Sequence, residues 1–201
     1  MLDEREADRL AMRARRGDSA AVTQLYLAHA PALLSYLQRL LGRREAAHDV
    51  LQETFLQLIE GRGRYRPRGR FRSWLFSVAS NCARDFHRRE NSRHRLVEAV
   101  AAKQDPLAIH PEPAAEDALH TRETLAQIER ALEDLPRSYA AAFHLRVREE
   151  FSYREMAAIT GESEGTLRSR VHHTLRRLRA HLNSNDGSQA APPDAFERNE
   201  P

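Results

Sequence analysis

Apolar residues recur at intervals of three and four along nearly the whole chain, and the alternation of a half-buried strand is almost absent. Such a chain can bury its apolar side chains only as packed helices, so the expected class is all-α. Helices are expected at about 3–16, 19–41, 44–60, 71–90, 116–134, 137–148, 153–160 and 164–182. Gly17 and Gly42 stop the first two, and Pro31 falls inside the second, where a kink is expected. The stretch KQDPLAIHPEPAAED at 103–117, proline-rich and acidic, divides the helices into two groups. The expected organisation is two small helical modules, at 1–95 and 119–182, joined by a flexible acidic linker at 96–118. The tail at 183–201 lacks periodicity and is expected to be disordered.

The second module carries the clearest motif. Residues 152–155 (SYRE) make a capping box, in which Ser152 and Glu155 each satisfy the other's free backbone N–H. Met156, Ala157 and Ile159 then point inward, and Gly161 can take the left-handed conformation that ends a helix. Ser163 caps the next helix. On that helix Leu167, Val171, Leu175, Leu178 and Leu182 form one stripe, while Ser169, His172, His173 and Arg176 project to the opposite side. Arg168 and Arg179 flank one edge of the stripe, and Arg170 and Arg177 flank the other. A solvated face mixes its charge signs, but 159–182 holds five arginines and no acid after Glu164. Two short helices joined by a glycine turn, the second basic on its outer side, make a helix-turn-helix. In that motif the second helix enters the major groove and flanking arginines reach phosphates.

Charge is distributed in blocks. Residues 61–95 hold 11 arginines against two acids, whereas 96–120 hold one lysine against five acids. A polyanion-binding surface followed by an acidic connector is implied. Within the basic block, GRFRSWLFSVASNCARDFHRRENSRHR (69–95) follows the arginine-rich loop GRGRYRPRGR (61–70). Trp74, Leu75, Val78, Ala79, Cys82 and Phe86 form its inward side, and Asn81, Arg84, Arg88 and Arg89 lie away from it. Basic groups with an amide and aromatics nearby suit single-stranded or distorted nucleic acid. Upstream, REAAHDVLQETFLQLIE (44–60) buries Ala47, Val50, Leu51, Phe55, Leu58 and Ile59 and exposes an acidic polar stripe of Asp49, Gln52, Glu53, Gln57 and Glu60. On charge alone that stripe reads as a solvated face.

The order of these pieces closely resembles the extracytoplasmic-function (group IV) sigma factors of bacterial RNA polymerase, within the sigma-70 family. DVLQETFLQLI, FRSWLFSVASNCARD, an acidic linker and LPRSYAAAFHLRVREEFSYREMAAITGESEGTLRSRVHHTLRRLRAHL match that family in order and spacing over roughly 5–182. The resemblance implies a sigma factor that binds core polymerase and directs promoter-specific initiation. Its first domain would read and melt the minus-10 element, and its second would read the minus-35 element as duplex. Asp49, Gln52, Glu53 and Phe55 would contact the β′ clamp helices. Asn81 would read a flipped base, with Arg84, Arg88 and Arg89 near phosphates, and Trp74 would pack. LPRSYAAAFHLRV would lie near the β flap. In the recognition helix Ser169, His172, His173 and Arg176 would face bases, with Arg168 at the edge, while Arg170 and Arg177 would hold phosphates. His173 stands where relatives often carry an arginine, and Thr174 where they carry an alanine, so the upstream sequence is expected to differ from the usual one. The family commonly has an anti-sigma factor, which makes one a candidate partner.

A helix-turn-helix regulator that binds DNA without polymerase would explain 137–182 but leave the first module without a role. An enzyme is not expected, because the ten histidines are scattered and no nucleophile sits beside a base on one face. Cys82 is alone, so neither a disulfide nor a cysteine zinc site is expected, and no metal or cofactor is implied. No apolar run reaches the ~18–20 residues of a membrane helix, so the expectation is a cytoplasmic protein without membrane insertion.

Overall fold

The chain is described by a computed structural model that covers residues 2–61, 65–98, 128, 131, 132 and 134–186. Among these residues all regular structure is helical. The acidic linker from 99 to 118 and the tail from 187 onward lie outside the described residues.

Helix α1 (Glu4–Ala14) buries Ala7, Leu10, Ala11 and Ala14, the i, i+3, i+4, i+7 stripe of a core-facing helix. Helix α2 (Ser19–Leu41) begins where the Asp18 carboxylate accepts the Ala21 N–H at 3.1 Å, and it ends at Gly42, left-handed at φ 67. It runs through Pro31 as one helix. Helix α3 (Arg44–Ile59) buries Ala46, Ala47, Val50, Leu51, Thr54, Phe55 and Leu58 against α2 and α4.

Helix α4 (Phe71–Glu98) is longer than the expected 71–90, since nothing between Arg89 and Glu98 breaks a helix. Its start is fixed by α1. The Phe71 N–H donates to Glu4 Oε2 at 2.7 Å, so a carboxylate satisfies an orphan first-turn amide and offsets the helix dipole. Asp8 accepts from the Gly69 N–H at 2.7 Å and from the Tyr65 hydroxyl, tying the arginine-rich loop to α1. Tyr65, Phe71 and Trp74 then stack as one aromatic cluster, with centroids 4.7–5.7 Å apart. Trp74 packs, as expected.

In the second module, α5 (Arg137–Phe143) passes into a π-helical turn (His144–Arg148) rather than remaining α-helical to 148. The Glu149 N–H donates to the His144 carbonyl at 3.1 Å, and Glu150 then takes a left-handed φ of 58. Helices α6 (Tyr153–Thr160) and α7 (Glu164–Asp186) follow. The capping box of Ser152 and Glu155 is formed on both sides, and Gly161 ends α6 at φ 74. Burial of Glu155 raises its carboxyl, but the Ser152 hydroxyl and N–H outweigh this and hold it below its ordinary value. Helix α7 extends past the expected 182.

The two modules are not separate bodies. Ala141, Ala142, Leu145, Phe151, Met156, Ile159, Leu167 and Val171 of the second belong to the same continuous apolar core as α1–α4. Helix α5 packs on α2, and α6 packs on α4. Phe76, fully buried, was not among the expected inward residues of α4 because it faces the other module, 5.2 Å from the Phe151 ring.

Candidate nucleic-acid interface

The helix-turn-helix forms as its sequence dictates. Leu167, Val171 and Leu178 are buried, and Leu175 and Leu182 are half-buried. Thr174, fully buried, turns its hydroxyl onto the Arg170 carbonyl at 3.0 Å and so hides its polar group within the helix. The Ser163 hydroxyl accepts the Thr166 N–H at 3.1 Å and caps the helix start. Opposite the buried stripe, Arg168, Ser169, His172, Arg176 and Arg177 are exposed.

Two further candidates lie beside the open face rather than on it: Arg170 at the stripe edge expected of it, and His173 away from its expected outward position. His173 is half-buried, with its ring edge-on to Tyr139 of α5 at 5.2 Å, because its angle on the helix falls nearer the α5 side than the outer face. Arg170 is also half-buried. It pairs with Glu162 at 2.6 Å and lies over the Tyr139 ring, so its charge is already met within the module. Arg168 stacks on Tyr153 at 5.1 Å, which pre-orders an otherwise mobile side chain.

On α4, Asn81, Arg84, Arg88 and Arg89 are all exposed; the first three follow one another at three- and four-residue spacing, and Arg89 adjoins the last. The Arg84 guanidinium donates to the Asn81 side-chain oxygen. Arg88 pairs with Asp85 at 3.0 Å on an open surface, where such a pair contributes little and exchanges readily for a phosphate. Arg66, Arg68 and Arg70 of the loop are exposed before the N-terminus of α4 and enlarge the basic surface. Facing inward, Ser80 bonds the Tyr36 hydroxyl at 2.9 Å, and burial pushes that phenol up to about 12, so it stays neutral. Burial likewise raises the Cys82 thiol, which keeps it an unreactive core group.

Helix α3 presents Asp49 and Gln52 exposed and Glu53 half-exposed, with the Gln57 amide donating to Glu53 at 3.2 Å. Phe55 does not share that surface. It is 5% exposed and stacks on Tyr26 at 5.0 Å, because its position on the helix lies with Leu51 and Leu58 rather than with Gln52. Ile59, expected inside, is instead exposed, as are Leu56 on the same helix and Tyr26 and Leu27 on α2. Leu27 is 71% exposed, a large apolar side chain left mostly uncovered among the described residues. Sequence periodicity placed the acidic stripe but missed this apolar companion, whose signal was two large side chains off the α2 stripe.

A third surface, an open groove of about 630 Å³ on the second module, is lined by Arg146, Val147, Glu150, Tyr153, Val171 and Leu175. Among the described residues no three His, Cys, Asp or Glu side chains gather as a metal site. Among the described residues no helix is long and apolar enough to cross a membrane.

The chain matches two family models, Sigma-70 region 2 over residues 25–93 and Sigma-70 region 4 over residues 125–178. It is 36% identical over 167 residues to the RNA polymerase sigma factor CarQ of Myxococcus xanthus, covering 83% of this chain and 92% of that protein. It is 33% identical to the ECF RNA polymerase sigma factor SigE of Mycolicibacterium smegmatis, covering 87% of this chain and 68% of the relative. Among solved structures it resembles the sigma factor RpoE of Bartonella quintana in complex with the anti-sigma factor NepR. That match has a TM-score of 0.60 at 26% identity and covers 80% of this chain and 96% of the other. CnrH, in complex with the cytosolic domain of CnrY, shares the fold at a TM-score of 0.59 and 23% identity, covering 90% and 99%.

Proposed function

The chain belongs to the extracytoplasmic-function sigma factors of the sigma-70 family, and from that premise we propose how its surfaces divide the work of promoter-specific initiation with core RNA polymerase. Asn81 reads an unstacked base of the minus-10 element, and Arg84, Arg88 and Arg89 neutralise the phosphates around it. Ser169, His172 and Arg176 read base edges of the minus-35 element, with Arg168 and Arg177 on phosphates. Arg170 and His173 act from the flank, where their partners Glu162 and Tyr139 hold them. The observation that carries this reading is the recognition helix itself, whose basic face stays open while its leucines are packed.

Core polymerase meets α2 and α3. Asp49, Gln52 and Glu53 supply the charged part of that contact, and Leu27, Leu56 and Ile59 supply the apolar part. Phe55 supports the surface from below through Tyr26. The groove beside Val147 is where the β flap docks. The protein is a transcription initiation factor that works in the cytoplasm, performs no catalysis and needs no cofactor. An anti-sigma partner is supported by the complex in which the Bartonella relative was solved.

Reversing the charges at Asp49 and Glu53 to lysine tests the docking face. Exposed substitutions of this kind usually alter stability by only about 0.5 kcal/mol. The expected outcome is a folded protein that no longer co-purifies with core enzyme. Wild-type recovery with core would assign polymerase docking to another surface.

A further inference from the structure

Helix α1 takes no part in the promoter surfaces described above, yet it holds the arginine-rich loop at three points. Arg15, just past its end, donates to the Tyr65 carbonyl at 3.1 Å and lies beside Gly61, 3.1 Å from where a Cβ would stand. Asp8 accepts the Tyr65 hydroxyl through one oxygen and the Gly69 N–H, at 2.7 Å, through the other. Glu4, one turn earlier, accepts the Phe71 and Arg72 N–H groups through a single oxygen, at 2.7 and 3.4 Å. The ties run in order, from the end of α1 at Gly61 to its start at Arg72. Burial first, and Asp8 second, raise the Tyr65 phenol, so it keeps its proton and donates it to the carboxylate.

Charge alone argues against an ordered loop here. Arg66, Arg68 and Arg70 are all exposed, and like charges so close repel one another. Glu4 and Asp8 do not answer those charges by pairing, because their oxygens are taken by backbone amides and a phenol. The guanidinium groups of Arg66 and Arg68 are in no ion pair among the described residues. The backbone is therefore fixed while the charges stay open to a polyanion. Glu4 also occupies the positive end of α4, so an anion reaching this place meets the arginines and not the helix terminus. Asn81 lies about 15 Å along α4 from Phe71, roughly the span of four to five nucleotides of one strand. A strand that passes Asn81 can reach the loop.

We infer that Glu4 and Asp8 are positioning residues for promoter opening, through which α1 holds Arg66 and Arg68 ready for the phosphates of the melted minus-10 strand. The inference rests on the promoter reading given above. A loop ordered before the strand arrives avoids the cost of ordering it on binding, and each phosphate it neutralises releases counterions. The role of the two carboxylates is thus felt at one promoter element and through two arginines.

Full-length variants assembled with core polymerase test this, with sigma occupancy and native helicity checked first. Permanganate reactivity reports opening, and promoter libraries randomised at minus 10 or minus 35 report selection. The Glu4→Ala/Asp8→Ala pair should lose at least about tenfold in opening, the factor that losing one hydrogen bond to a charged group brings. Its minus-10 selection should relax, while core occupancy and minus-35 selection stay as in wild type. Glu4→Gln should behave as wild type, since one amide oxygen can accept both N–H groups. Asp8→Asn, nearly isosteric, carries the test if the alanine pair loses native helicity. One oxygen then serves two donors, and an intermediate loss should again be confined to minus 10. Arg66→Ala/Arg68→Ala should match the alanine pair, and combining all four changes should cost little more than either pair alone. Wild-type opening in the Glu4 and Asp8 variants would overturn the clamp. So would losses shared by core binding and both elements, which mark a merely structural role, or losses that add to those of the arginines. Wild-type holoenzyme that selects no minus-10 sequence would instead remove the promoter reading beneath it.

Discussion

His29 is buried on α2 with its ring 5.3 Å from Phe71, and its Nε2 has no hydrogen-bond partner among the described residues. Burial first, and the charge of Arg72 second, lower its pKa to about 4. The folded state therefore keeps His29 neutral where the unfolded chain, titrating near 6.5, takes up a proton. Its contribution is complete above pH 6.5 and is lost as the pH falls toward 4, by at most about 3 kcal/mol. Denaturant unfolding at pH 7 and pH 4.5 should show a smaller acid loss for His29→Leu than for wild type, and equal losses would place the imidazole in water. Nothing in the sequence distinguished this histidine from the other nine. Single residues were in general the hardest to assign. Phe55 keeps the buried place its periodicity gives it, but Ile59 leaves its own, because the one-residue step past Leu58 turns a side chain by 100°, enough to move it across the edge of a helix stripe. His173 is a similar edge case, decided by Tyr139 on a neighbouring helix.

Helices were legible wherever their ends carry local chemistry. Asp18 and Gly42 bound α2, and Ser152, Glu155 and Gly161 bound α6, with the contacts their side chains dictate. The π-helical turn after α5 was not legible, since it places Glu149 against Arg72, a partner 77 residues away. The second buried face of α4, with Phe76 and Ser80, was hidden for the same reason. For α7 the observed phase separates three kinds of arginine and histidine. Arg176→Ala should relax base preference at one minus-35 position by roughly 1–3 kcal/mol. Arg177→Ala should weaken binding evenly and flatten its salt dependence. His173→Arg should change selection less than Arg176→Ala does. Sequencing transcripts from a randomised minus-35 library would check all three, and a dominant effect at residue 173 would mean that its ring leaves Tyr139 on DNA.

At the scale of the whole molecule, charge blocks and a proline-rich break announced two helical modules, and both are present. Their mutual packing was not announced, because the residues that join them, among them Arg72, Phe76, Phe151 and Met156, read as ordinary surface or core within each module. Two reading helices on one chain, tied together in the free protein and required about 85 Å apart on a promoter, make polymerase the scaffold on which specificity arises. Core enzyme with this protein should therefore enrich a paired minus-10 and minus-35 sequence from a random promoter library. Fluorescence anisotropy on that enriched duplex, with and without core, is the decisive titration. Binding should be weak and strongly salt-dependent for the protein alone and sequence-specific once core is added. Specific binding near ~10 nM without core, in the range of ordinary site-specific regulators, would contradict it.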